Sequence, residues 1–250
     1  MPVMDEFKEE RAALKQAGLK VKLIYFWDYY KWYVIAALII IGVIISQVKF
    51  YMEKKDVVFH AGLLNASEVV VSMEGGAHTN EFAVYTGIDT ENEEILFDNS
   101  MSIGPGMADS YNSAQKLVVY LSAAEIDVMV ADVSIIIQYA YQNDFMDMRN
   151  ILSPEQLEQY QDRFYYIDKA KVEAISNQLS AVDYSGNGVV YPDPFDPESM
   201  EDPVPVGVRI PAQCRLTKEY YLNGPDQVCS VLVNTKHLDM SLKFIDFMCN

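Results

Sequence analysis

The stretch from Trp32 to Val48, WYVIAALIIIGVIISQV, is an uncharged run of 17 residues that limits the chain more than any other feature. As a helix rising about 1.5 Å per residue it just crosses a hydrocarbon core, at the short end of the usual span of about 17–25 residues. A soluble core helix would carry a periodic polar face, and this run has none. An aromatic and basic collar leads into it, Tyr25, Phe26, Trp27, Tyr29, Tyr30, Lys31, Trp32 and Tyr33, as expected at a headgroup boundary. Lys49, Lys54 and Lys55 close the far end. A cleaved signal peptide fits less well, because the leader is long and only Ser46-Gln47-Val48-Lys49-Phe50 follows, with no small-x-small cleavage site. The run therefore reads as an uncleaved, single-pass signal anchor.

Charge divides around this run. The whole chain has 36 Asp and Glu against 19 Lys and Arg, a formal net charge of −17. Residues 1–31 hold six of the basic residues and five acidic ones, whereas residues 56–250 hold 10 basic and 30 acidic, a net of −20. Such a surface repels phosphate, which argues against a nucleic-acid partner. Six positive charges precede the run and three follow it, so the positive-inside rule puts residues 1–31 in the cytoplasm and residues 56–250 outside. Met4 to Lys22 has the pattern of a short amphipathic helix, with Asp5 and Glu6 in its first turn and Gly18 near its end. The expected organisation is a cytoplasmic segment (1–31), a transmembrane helix (32–48) and an extracytoplasmic domain (56–250), with the lipid bilayer as the first partner.

Beyond Asp56 the hydrophobic period changes. Val57–Leu64 reads as a buried strand, and Glu68–Met73, Glu81–Tyr85 and Ile95–Phe97 as further strands. After the turn Gly104-Pro105-Gly106, Asp109 or Ser110 caps a helix whose apolar face is Ala114, Leu117, Val118 and Leu121. Ile126–Ala131 is a short strand, and Asp132 opens a second helix over 133–142. Ser153-Pro154-Glu155-Gln156 carries a cap, a first-position proline and a Gln three residues after the cap, which starts another helix. Phe164–Ile167 follows as a strand and Lys171–Leu179 as a helix, then a Gly- and Pro-rich stretch over 183–206, a strand Cys229–Val233 and a helix ending in Leu238, Leu242, Ile245 and Met248. Helix, strand and helix with tight links give an α/β fold, a mixed sheet with flanking helices.

No catalytic signature accompanies this pattern. His60, His78 and His237 lack metal-ligand spacing, and GxSxG, GxxxxGK[ST] and GxGxxG are missing, so neither an enzyme nor a cofactor is expected. Cys214 and Cys229 allow one disulfide with Cys249 left over, or three free thiols, and the sequence leaves both open. Asp183, Ser185 and Asn187, followed by Gly188, imitate the first half of a calcium loop, but the twelfth position is Pro194 where a bidentate Glu belongs. A Gly-rich turn accounts for the same residues and is the preferred reading.

The segment from Gln115 to Asp132, QKLVVYLSAAEIDVMVAD, resembles the helix-strand unit of bacterial extracellular solute-binding proteins, a helix ending in small residues and Glu-Ile-Asp that feeds a strand. Tyr139–Leu152, Pro205–Val208 and Val231–Thr235 with the helix after it are similar to later elements of that family. The resemblance implies a periplasmic-binding-protein-like α/β fold with two possible lobes, and a cleft lined by strand carboxyl ends and helix N-termini. Asp109, Ser110 and Tyr111, after the Gly-Pro-Gly turn, and Asp132 and Ser134, at a strand-to-helix junction, are the implied ligand-binding candidates. The same residue types cap helices, and that role stays open beside the functional one. The implied function is capture of a small solute for an integral-membrane transporter or receptor. The alternative is an envelope interaction protein on a degenerate binding fold.

Overall fold

A computed structural model describes residues 18–69, 77–107, 109–181 and 190–250. They fall into two units, one up to Lys54 and one from Lys55 to Asn250. In the first, helix α1 runs without interruption over Leu19–Glu53. It therefore takes in Lys20 and Lys22, which the sequence reading assigned to a separate short helix; the rest of that expected helix, and the segment before it, lies outside the described residues. Within α1, the 22 residues Tyr30–Tyr51 are long and apolar enough to cross a membrane, a wider span than 32–48. Among the described residues, its apolar side chains Leu38, Ile39, Ile40 and Ile44 are all more than half exposed.

The second unit is built on a six-stranded sheet in the order β3-β1-β4-β8-β6-β5. In chain order its elements are β1 (Asp56–Leu63), β2 (Ala66–Glu68), α2 (Ala77–Thr86), β3 (Glu93–Asp98), α3 (Ser110–Ala123), β4 (Val128–Asp132), α4 (Val133–Ala140), α5 (Pro154–Tyr160), β5 (Phe164–Asp168), α6 (Val172–Ala181), β6 (Pro203–Arg209), α7 (Arg215–Glu219), β7 (Tyr220–Leu222), β8 (Gln227–Val231) and α8 (Leu238–Met248). β1 pairs parallel with β3 and β4, while β8 is antiparallel to β4 and β6, and β5 to β6. β2 and β7 form a separate antiparallel pair. Carboxyl ends of β1, β3, β4 and β6 thus share one edge with the amino ends of β5 and β8.

Both faces of this sheet are covered, and the two-residue period of the strands decides which side chain goes where. Phe59, Ala61, Val128, Val130, Val208, Cys229 and Val231 face one way and pack with Phe82 of α2, Leu216 of α7 and Phe244 and Ile245 of α8. Met129, Ala131, Tyr165, Ile167, Val204, Val206 and Val228 face the other way, against Leu117 of α3, Ile135 and Ile136 of α4 and Ile175 of α6. In the first layer Phe59 stacks obliquely between Phe82 and Phe244, with ring centroids 5.5 and 5.3 Å away.

Three local expectations are corrected. Glu81–Tyr85 is part of helix α2, not a strand: Phe82 and Ala83 are buried while Val84 is 84% exposed, so the short apolar run never supplied an alternating buried face. The strand expected at Glu68–Met73 is confined to Ala66–Glu68, with 70–76 outside the described residues. Helix α3 buries Ser113 and Leu117 and leaves Val118 exposed, because its packing stripe is rotated toward the Ser113 side. By contrast, the Ser153 start has both hydrogen bonds of a capping box: Gln156 N–H donates to Ser153 Oγ, and Ser153 N–H to Gln156 Oε1.

Candidate functional site

Connections leave the sheet's carboxyl edge in opposite senses, from β1 to α2 on one face and from β4 to α4 on the other. An open α/β sheet of this kind has its natural crevice between those two strands. Asn65, directly after β1, has the left-handed φ of 56° and ties the surrounding loops together. Its Nδ2 donates to Ile103 O at 2.8 Å, Ile103 N–H donates back to Oδ1 at 2.7 Å, and its own carbonyl accepts from Asn223 N–H.

All five sequence candidates lie along this edge, at the amino ends of α3 and α4. Asp132 is the N-cap of α4: its Oδ1 accepts from Ser134 N–H at 3.0 Å and from Ser134 Oγ at 2.6 Å, and its Oδ2 accepts from Asp226 N–H. Asp109 stands at the N-cap position of α3 with its side chain making no capping bond, while Ser110 Oγ accepts from Gly104 N–H at 3.0 Å. Tyr111 is 74% exposed and its hydroxyl accepts from Gln115 Nε2. No hydrogen bond among the described residues joins the α3 group to the α4 group. Capping and loop closure thus occupy Asp132, Ser134 and Ser110. The calcium-like residues Asp183, Ser185 and Asn187 lie outside the described residues.

The loop between β7 and β8 fills the crevice itself. Gly224, at φ 119°, sits so close to Asp132 that a Cβ there would lie 2.2 Å from its Oδ2. Open space lies on the other side of this loop. There a groove of about 550 Å³ is lined by Arg163, Arg209, Ile210, Pro211, Tyr220, Leu222, Gly224, Pro225 and Gln227, among others. That volume falls within the range of about 300–1,000 Å³ that small-molecule sites occupy.

Strand register brings its polar groups together. Gln227 opens β8 opposite Asp132, and Arg209 ends β6 opposite Val228. Gln227 Nε2 donates to the carbonyls of Asn223 and Gly224, at 2.9 and 3.3 Å, and its Oε1 is buried with no hydrogen-bond partner. Arg209 pairs with Asp226 at 2.6 Å and lies over the Phe195 ring, 4.9 Å from its centre. Arg163 donates to Arg209 O, Asn250 Oδ1 and Cys249 O, fastening the end of α8 to the groove. Burial first, then the nearby Glu68 and Glu219 charges, pushes the Tyr220 phenol up to about 12, so it stays protonated at neutral pH.

Comparison with protein-family models, characterised proteins and solved structures gives no match.

Two polar clusters lie away from the groove. Lys116 donates to Asp98 at 2.8 Å and to Ser100, beside the buried His60, whose Nε2 lies 3.9 Å from Asp98. Burial raises the Asp98 carboxyl, but these hydrogen bonds outweigh it and hold the group below the usual carboxylate range. At the opposite sheet edge, Asp127 accepts from His60 N–H, Thr235 Oγ1 and His237 Nδ1. Cys214, Cys229 and Cys249 are buried free thiols. Among the described residues no group of three or more His, Cys, Asp or Glu is arranged to hold a metal ion. Sequence reasoning missed Arg163, Arg209 and Gln227 because no local motif links them; only strand order does.

Proposed function

We propose that the chain is a membrane-tethered extracytoplasmic binding protein that captures a small solute in this groove and presents it to a transporter or receptor, without chemistry on the solute. Helix α1 is the tether, its 22-residue apolar part spanning about 33 Å. The basic excess before Trp32 favours a cytoplasmic N-terminus and an outward-facing acidic domain. In this reading residues 55–250 are a reduced relative of the extracellular solute-binding fold, built on one six-stranded sheet. The observation that supports it is a solute-sized groove into whose lining strand order brings Arg209 and Gln227 together, with Arg163 beside them.

The test is a thermal-shift screen of the full-length protein in detergent against a library of small solutes. A ligand that binds only the native state raises the midpoint with concentration. A hit whose shift disappears in Arg209→Gln supports the reading; a library without a saturable hit rejects it.

One observation favours a second reading, an envelope interaction protein that binds no solute: the natural crevice is filled by the chain's own 223–226 loop. Its mark is stable co-purification of an integral-membrane protein from gently solubilised membranes together with an empty solute screen.

A further inference from the structure

Backbone register decides what one wall of the groove offers. β2 and β7 pair with Ala66 opposite Leu222, Ser67 opposite Tyr221 and Glu68 opposite Tyr220. The bonds at either end fix the phase, since Asn223 N–H donates to Asn65 O and Val69 N–H to Glu219 O. Bonded and non-bonded positions alternate along an antiparallel pair, so Ser67 and Tyr221 exchange hydrogen bonds and Leu222 falls in a non-bonded position. Its N–H and C=O therefore point away from β2, and neither makes a hydrogen bond among the described residues. β2 follows directly on β1, at the β3-β1-β4 end of the sheet order, whereas the groove's other wall is Gln227 of β8, residues 209–212 at the end of β6 and Arg163 before β5. The free edge of β7 thus faces the groove.

Side chains around the groove are mixed, with Arg163, Arg209, Thr217 and Tyr221 beside Ile210 and Pro211. No one side-chain chemistry dominates, and the constant feature is a strand edge that presents a donor and an acceptor on one residue. Its complement is another extended residue, whose C=O accepts from Leu222 N–H while its own N–H donates to Leu222 C=O. An inorganic anion brings no donor for the carbonyl, and an apolar molecule meets neither group. The exposed Tyr221 ring, beside that edge, offers a surface to a side chain of the added strand. In a domain of net charge −20 the lining holds two arginines against one acidic residue, Asp162, which disfavours a basic peptide.

We infer that the solute is a short, extended, non-basic peptide that adds a strand to β7, exchanging two backbone hydrogen bonds with Leu222. This rests on the solute-binding reading above. A groove of about 550 Å³ has room for only a few residues, so main-chain pairing supplies the affinity and the surrounding side chains set a broad preference.

The test is calorimetric titration of the full-length protein in detergent with acetyl-Thr-Val-Thr amide, the same tripeptide methylated on every backbone nitrogen, and glucose. Thr and Val favour the extended form, the capped ends carry no charge, and methylation removes the N–H donors that strand pairing uses. The unmethylated peptide is expected to bind at least about tenfold tighter than the methylated one. Leu222→Pro deletes an edge N–H that the fold itself leaves unused, so it should lose most of the binding that Leu222→Ala retains. Thermal melting of both variants separates loss of binding from loss of fold, and the comparison of the two peptides needs no variant. If the methylated peptide binds as well, if Leu222→Pro binds as Leu222→Ala does, or if only glucose binds, the strand-addition inference is wrong while the groove reading stands. If none of the three binds, the peptide class is wrong, and the solute screen then decides the groove reading separately.

Discussion

The Asn65 carboxamide and the Ile103 backbone exchange two hydrogen bonds, so one side chain imitates a strand partner where the chain leaves β1. This pairing holds the Met101–Gly104 segment over the sheet edge and lets Ser110 receive Gly104 N–H. Asn65→Ala removes both bonds and leaves at positive φ a residue that tolerates it less well than asparagine, and should cost about 2–3 kcal/mol in denaturant unfolding of the detergent-solubilised chain. Asn65→Gly also loses the bonds but relieves the backbone, so it should be milder by about 1 kcal/mol. Equal losses would mean that the left-handed conformation is not strained in Ala.

Asp127 closes the opposite edge of the sheet. Its buried carboxylate takes His60 N–H at 2.9 Å, Thr235 Oγ1 at 2.6 Å and His237 Nδ1 at 3.1 Å, joining β1, β4 and the entry to α8. Asp127→Ala should destabilise the fold by about 3 kcal/mol, since it strands several donors together. Asp127→Asn, whose amide still offers one acceptor, should lose less. Parallel unfolding curves of the two variants check the order.

Local grammar made part of this legible. Ser153 with Gln156, and Asp132 before Val133, announce helix starts through residue type and spacing alone, and both caps form as read. Phe82 to Tyr85 misled because four apolar or aromatic residues in a row carry no period; burial against Phe244 and Phe247, more than 160 residues later, decides the helix. The groove was illegible for a similar reason. Arg163 reaches Arg209 O, and shares a groove with Gln227, only through the order β8-β6-β5, and nothing near any of the three residues signals it. Asp109, Ser110, Tyr111, Asp132 and Ser134 stand out in the sequence because cap residues and ligand residues look alike there, and Asp132 and Ser110 are taken up by capping and loop closure.

Stability should peak on the acid side of neutrality. Burial lifts the Asp144 carboxyl to about 6, and burial together with the Glu81 charge lifts Glu219 to about 7, against ordinary values of 3.8 and 4.5. Because the folded state holds these protons more tightly than the unfolded one, stability is lost as pH rises through 6 and 7. Asp98, Asp147 and Asp168 are held low despite burial, by Lys116, by Arg149 and by the Asp202 and Glu201 amides, so their contribution is lost only as pH falls below the ordinary range. The midpoint should therefore be higher at about pH 5.5 than at about pH 8, and Asp144→Asn with Glu219→Gln should flatten that slope. An unchanged slope in the double variant would remove these two groups as its source.

Gly207 sets the spacing on which the groove depends. It lies in β6 facing β8, where an added Cβ would come within 2.5 Å of both Ser230 Oγ and Val228 Cγ1. Both neighbours are fully buried, and a β-branched valine in a strand has little rotamer freedom to yield. Gly207→Ala should thus destabilise by about 1–3 kcal/mol, the usual cost of overpacking. Two residues further on, Arg209 ends β6, while Gln227 precedes Val228 in β8, so strands forced apart at Gly207 also separate the two groove walls that Arg209 and Gln227 belong to. A solute bound there should weaken in Gly207→Ala although no groove side chain has changed. Adding Val228→Ala together with Ser230→Gly should relieve both clashes, and recovery of binding in the triple variant would tie the loss to strand separation rather than to general instability.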